Sequence, residues 1–211
     1  SLPGVERIGL VVHPAAREAV GLAIAGVSCP VAVAVQETPT GMLDAILLAR
    51  PAVEAARPRR VWVTWCDQIL IHPRTLRRLI EADAADPLLA MPTCVSASPY
   101  VHLARDAGGR IVRVLHRREG DPMPEAGESD AGLFSLSRPA YLDLLHAFAA
   151  EPGLGGATGE RNFLPFIPWA ETHGGVVTFP CFDPAEALGV NTPEDLAAAE
   201  RTLRARAQEG A

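Results

Sequence analysis

The sequence predicts an α/β domain with a mixed, mostly parallel sheet flanked by helices. Three observations carry that expectation. Short β-branched runs alternate with helical patterns along the whole chain. The 211 residues are enough for one sizeable core, and no internal repeat or clear linker divides them, so 1–211 reads as a single domain. Hydrophobic residues make up 48% and charged residues 21%, a globular balance with no apolar run near the roughly 20 residues that cross a bilayer.

In order, "RIGLVV" (7–12) reads as a strand, followed by an alanine-rich helix around 15–25. "VAVAVQ" (31–36) is a strand and 43–56 a helix. "RVWVTW" (60–65) is a strand, and "PRTLRRLIEA" (73–82) a helix that opens on proline, as helix starts allow. "LLAMPT" (88–93), "RIVRVLH" (110–116) and "GLFSLS" (132–137) are strand candidates. "RPAYLDLLHAFAAE" (138–151) has Leu142, Leu145 and Phe148 at helical spacing. "GVVTFP" (175–180) is a last strand and 193–207 a last helix. The polar, Pro/Gly-rich stretch 116–130 reads as a loop, mobile or facing a substrate.

Composition removes several chemistries. The net charge of −6 argues against a general nucleic-acid binder. All 19 basic residues are arginine, so lysine nucleophiles, Schiff bases and a Gly-Lys-Ser/Thr phosphate loop are excluded within these residues. A GC-rich coding sequence accounts for the missing lysine. Cys29, Cys66, Cys94 and Cys181 are scattered with no C-x-x-C pair, so no structural zinc site is expected. A reduced, cytoplasmic setting is the default, with no membrane partner.

Three segments carry candidate chemistry. In open α/β sheets ligands sit beyond the carboxyl ends of strands, and Asp67 lies there. It is placed either to hold a hard cation such as Mg²⁺ or to bond its own backbone in a turn. In "GVNTPEDLAAAE" (189–200), Thr192, Pro193 and Asp195 form a helix-capping pattern, which leaves the Asn191 side chain free for a cation or a sugar hydroxyl. In "QETPTGMLDAI" (36–46), Gln36 and Gly41 bracket a strand–loop–helix junction where glycine permits close approach of a flat ligand.

Taken in order, these segments resemble the sugar-1-phosphate nucleotidyltransferases, in particular the uridylyltransferase domain that makes UDP-N-acetylglucosamine. "QETPTGMLDA" is similar to that family's Q-x-x-x-x-G-T-A-x-A, and "VWVTWCDQILIHPRTLRRLIEA" to its hydrophobic strand followed by G-D-x-P-L-x-x-P-x-T-L-x-x-L. "GGRIVRVLHRREGD" is similar to G-x-V-x-x-I-V-E-x-K-D, and "ESDAGLFSLS" to E-x-N-T-G-I-Y-x-F. "GATGERNFLPFI" is similar to N-A-Q-G-E-Y-Y-L-T-D-I, and "ALGVNTPEDLAAAE" to x-x-G-V-N-T-x-x-D-L-x-x-A-E. The resemblance runs from about Val5 to Leu203.

The resemblance implies a Rossmann-like nucleotide-diphospho-sugar transferase fold. It implies a Mg²⁺ held by Asp67 and Asn191, with Gln36, Gly41 and Met42 at the nucleotide. His116, Asp130 and Glu160 fall at the acceptor, and Asp67 and Arg118 act in catalysis. The implied reaction is attack of a sugar-1-phosphate on a nucleoside triphosphate, releasing pyrophosphate. The substitutions are Cys66 for Gly, Met42 for Thr, His116 for Glu, Arg118 for Lys and Asp130 for Asn. With them the acceptor is N-acetylglucosamine-1-phosphate or another phosphorylated sugar, polyol or small alcohol. Arg117–Glu119 reads either as phosphate-binding or as a solvated charge run. The family's first strand and its glycine-rich loop L-A-A-G-x-G-T-R-M…P-K have no match, so the domain is expected to be N-terminally incomplete, with a gap beside residues 7–12 and 60–65. The alternative is a catalytically silent homologue that binds nucleotide or a partner protein.

Overall fold

A computed structural model of the chain describes residues 4–151, 153 and 155–209. Its strands are β1 (Ile8–Val12), β2 (Val31–Val35), β3 (Arg60–Thr64), β4 (Leu89–Ala97), β5 (Val101–Arg105), β6 (Ile111–His116), β7 (Ala126–Asp130), β8 (Leu133–Ser137) and β9 (Val176–Pro180). Its helices are α1 (Arg17–Ala23), α2 (Met42–Leu48), α3 (Arg50–Ala56), α4 (Pro73–Asp83), α5 (Leu145–Ala150), α6 (Phe166–Glu171) and α7 (Pro193–Glu209). Among the described residues, no helix is long and apolar enough to cross a membrane.

β4 is the centre of the main sheet. It pairs in parallel with β9 and antiparallel with β8 at Leu89–Ala90 and with β7 at Thr93–Ala97. β3 joins through β8, antiparallel. β5 and β6 form an antiparallel hairpin closed by a turn in which Asp106 N–H donates to Arg110 O. The α/β class with a mixed sheet therefore stands, but fewer pairs are parallel than strand–helix alternation suggested: among the described residues, only β1–β2 and β4–β9. The hairpin and the short excursion between β7 and β8 are too brief for the crossover that parallel pairing needs.

Two further readings are corrected, and one element is new. Residues 126–130, read as loop, are strand β7. Glycine, serine and carboxylates disfavour strands by propensity, but the ladder to β4 and the Arg105–Glu128 ion pair at 2.7 Å hold this one. Helix 43–56 is two helices meeting at Ala49, with Pro51 in the first turn of the second. Helix α6, for which no element was expected, is a short helix capped by Pro165 with Pro168 in its first turn, and it buries Phe166, Ile167 and Ala170.

The core is aromatic where it supports the site. Phe134, Phe163 and Phe166 are fully buried and meet at ring centroids 5.1 and 5.9 Å apart. α4 lays Leu79 against Ala90 and Leu133. Its last residue, Asp83, receives the Trp62 indole N–H at 2.9 Å and the Ser135 hydroxyl at 2.8 Å, and pairs with Arg60. These bonds fix β3 at its start, and so fix where it ends.

β1 and β2 form a separate two-stranded sheet. α2 touches β1 while its Leu43 and Ile46 share a core with Val61 and Val63 of β3. Among the described residues β1 has no partner besides β2, and β3 none besides β8. The two strands thus flank one helix without bonding to each other.

Candidate functional site

The site residues follow the carboxyl ends of four strands: Gln36 after β2, Asp67 after β3, His116 at the end of β6 and Asp130 at the end of β7. The chain between β3 and α4 is pinned from the opposite side. Glu186, fully buried, accepts His72 N–H at 3.0 Å, the Thr75 hydroxyl at 2.9 Å and Asp183 N–H at 2.8 Å. Val190 N–H then donates to Asp67 O at 3.0 Å.

This brings Asp67 and Asn191 together across Gly189. A Cβ added at Gly189 would lie 2.6 Å from Asp67 Oδ2 and 3.4 Å from Asn191 Nδ2. Asn191 Nδ2 donates to Gly189 O at 3.3 Å, and among the described residues Asn191 Oδ1 has no hydrogen-bond partner. Thr192 and Asp195 close the expected capping box, and Asp195 also takes Asn191 N–H at 3.1 Å. The Asn191 atom on this side is the amide nitrogen, so a turn of the amide would be needed to set its oxygen beside the Asp67 carboxylate, the pairing that suits a hard cation which keeps waters and takes further oxygens from a phosphate. Among the described residues no cluster of three His, Cys, Asp or Glu could hold a metal without such help.

Gln36 Nε2 donates to Gly41 O at 3.1 Å and so folds over its own loop. Gly41 has φ +124° and ψ 171°, a conformation open essentially to glycine. Its missing side chain makes room for the protein itself: a Cβ would meet Arg161 O at 2.4 Å. Met42 is half-buried with its side chain against the core.

His116 is buried, with Tyr100 set edge-on at 5.0 Å. Burial lowers its pKa, keeping the ring neutral near pH 7. Asn162 Oδ1 accepts Leu164 N–H, which turns its amide N–H toward His116 Nδ1 at 3.1 Å. The proton then sits on Nε2. Arg118 grips Glu160 with two bonds, at 3.3 and 2.8 Å, so two expected acceptor-side residues meet each other. Glu119 accepts the Thr158 hydroxyl and the N–H groups of Ala157 and Thr158, which hold its pKa down. The segment from Ala157 to Asn162 is thereby clasped to the end of β6, while Arg161 N–H donates to Thr40 O in the loop before α2. A cavity of about 230 Å³ lies beneath it, lined by His116, Glu119, Asn162 and Phe148 among others. Sequence reasoning passed over Tyr100 and Asn162. Asn162 lies inside a matched motif and could have been found there; Tyr100 has no local signal.

Asp130 is buried, and its Oδ1 accepts Gly132 N–H at 2.8 Å. Burial raises its pKa, because desolvation penalises the carboxylate. Because the native pKa lies above the unfolded one, the cost to stability is absent below the unfolded pKa and grows as pH rises through the native value. Asp130→Asn should therefore raise the melting temperature at pH 7, with the gain shrinking in acid; melting curves from pH 4 to 8 check this.

The chain is 32% identical over 208 residues to the bifunctional protein GlmU of an Anaeromyxobacter species, covering 96% of this chain and 41% of that protein. It is 33% identical over 202 residues to GlmU of Alkalilimnicola ehrlichii, covering 94% and 42%. The chain is a relative of GlmU. The resemblance to sugar-1-phosphate nucleotidyltransferases is thus borne out over most of its length, while the chain spans about two fifths of these relatives. Its Rossmann-like fold is shared with HddC from Yersinia pseudotuberculosis, at TM-score 0.61 and 18% identity over 95% of this chain and 80% of the other. No protein-family model matches it. Beside these relatives, Asp67 and Asn191 stand as the pair to test first.

Proposed function

We propose that the chain is the nucleotidyltransferase domain of an enzyme that joins a nucleoside triphosphate to a sugar-1-phosphate or similar phosphorylated acceptor and releases pyrophosphate. The observation that carries this reading is the convergence of Asp67 and Asn191 over Gly189. Mg²⁺ bound there would supply charge neutralisation and a template for the phosphates. Asp67 and Asn191 would hold it. Gln36 and Gly41 would position the base, and Arg118 would take the acceptor phosphate. His116 Nε2–H and Asp130 would face acceptor hydroxyls. The reaction needs two anions placed in line more than it needs a base.

Pyrophosphate release from a panel of nucleotides and phosphorylated acceptors, with and without Mg²⁺, tests the reading. Nucleotide binding without release from any pair would move the assignment to a silent homologue. Arg118→Ala should raise the acceptor KM about ten- to a hundredfold, since a hydrogen bond to a charged group contributes about 1.5–3 kcal/mol. An unchanged KM would leave Arg118 as part of a charged surface.

The open edges of β1 and β3 support a second element of the reading: a further strand lies between them in the complete polypeptide, carrying the phosphate loop. Unpaired buried backbone groups cost about 1–3 kcal/mol each. The amides of β1 and β3 that point away from β2 and β8 should exchange hydrogen fast in the 211-residue chain and become protected in a longer polypeptide. Equal exchange in both would remove the missing strand from the reading.

A further inference from the structure

Two of the four cysteines meet on the main sheet. β4 and β9 run parallel with Thr93 opposite Pro180, and Cys181 N–H donates to Thr93 O at 2.7 Å. One step further along the same register, Cys94 stands opposite Cys181. Residues in register share a face, so both side chains project to the same side. Neighbouring strands lie about 4.8 Å apart, inside the roughly 4.4–6.8 Å span of Cα separations that disulfides use. Cys94 is buried and Cys181 half-buried.

We propose that Cys94 and Cys181 are a redox-active pair that closes to a disulfide on exposure to hydrogen peroxide. The Cys94 thiolate attacks one peroxide oxygen, the O–O bond breaks, and the departing hydroxide takes a proton to become water. Cys94 is then a sulfenic acid. The Cys181 sulfur attacks the Cys94 sulfur and the S–O bond breaks. The Cys181 proton leaves with the hydroxide as a second water. Two thiols have lost two electrons and peroxide has gained them. The roles follow from the pair: hydrogen bonding between the thiols lowers the pKa of Cys94 and raises that of Cys181, and the thiolate is the nucleophile. Two thiols without further ligands do not make a tetrahedral zinc site, and no group of three ligating residues is present among the described residues.

The bond would tie the strand that pairs with Asp130 to the segment that runs from Cys181 to Asn191. In a reducing compartment it would be transient.

Trypsin cuts after arginine, and the arginines separate the four cysteines into four peptides. The protein is treated with hydrogen peroxide, alkylated, digested and mapped by mass. The expected result is a linked pair of peptides holding Cys94 and Cys181, two hydrogens lighter than their sum, released by dithiothreitol. It should persist in the Cys29→Ser and Cys66→Ser variants and vanish in Cys94→Ser. Oxidation confined to exposed Cys66, a link through Cys29 or Cys66, or full alkylation of Cys94 and Cys181 after peroxide would each overturn the proposal. The map of the unmutated protein decides it even if Cys94→Ser fails to fold.

Discussion

Asp67→Asn is expected to lower Mg²⁺-dependent pyrophosphate release by about two to three powers of ten while leaving the melting temperature nearly unchanged. The first half rests on charge. A carboxylate exchanged for an amide still offers oxygen to a cation but no longer neutralises it, and charge stabilisation by a catalytic metal is worth several kcal/mol, each 1.36 kcal/mol being tenfold in rate. The second half rests on hydrogen bonds. The bonds that fix this loop use the Asp67 backbone carbonyl, which accepts Val190 N–H and Ile69 N–H. Among the described residues the Asp67 side chain holds no structural partner, so its replacement removes none. Asn191→Ala should act in the same direction more weakly, because it removes a neutral ligand. Measured turnover of Asp67→Asn within a few-fold of the unmutated protein would sink the metal assignment.

Gly41→Val should destabilise the fold by about 2–6 kcal/mol. The positive φ of +124° with extended ψ is a region that costs a residue with a Cβ about 1–3 kcal/mol. Overpacking adds about 1–3 kcal/mol, because the new atom would sit 2.4 Å from Arg161 O and 2.6 Å from Arg161 N. Those are backbone atoms already bonded to Thr40 and Leu43, so they cannot swing aside as a side chain would. Since total stability is only about 5–15 kcal/mol, much of the chain could unfold near body temperature. Urea midpoints of the two proteins check this. A midpoint equal to that of the unmutated chain, with nucleotide KM raised, would mean that Gly41 serves the ligand alone.

The glycine shows how far a sequence carries. Its place in the motif was legible, and close approach was the expected reason. That the approaching backbone belongs to Arg161 was not legible, because 120 residues separate the two and no periodicity links them. Arg118 and Glu160 are similar: each was assigned to the acceptor side, but their ion pair exists only because the 157–162 segment folds back over the end of β6.

The sequence by itself determined the alternation of strands and helices, the helix starts at Pro73 and Thr192, and the ordered motifs that contain Asp67 and Asn191. Those are local: they depend on side-chain period, turn chemistry and residue type within a few positions. Only the tertiary structure decided that β7 is a strand, that α6 is a helix, and that β1 and β3 share a helix without sharing a hydrogen bond. Strand β7 is polar and α6 is only six residues long, so local preference is weak for both; the ladder to β4 and the aromatic core around Phe163 and Phe166 decide them. Pairing across a sheet is a long-range choice, settled by which edges can be covered at once, and no window of neighbouring residues contains that information.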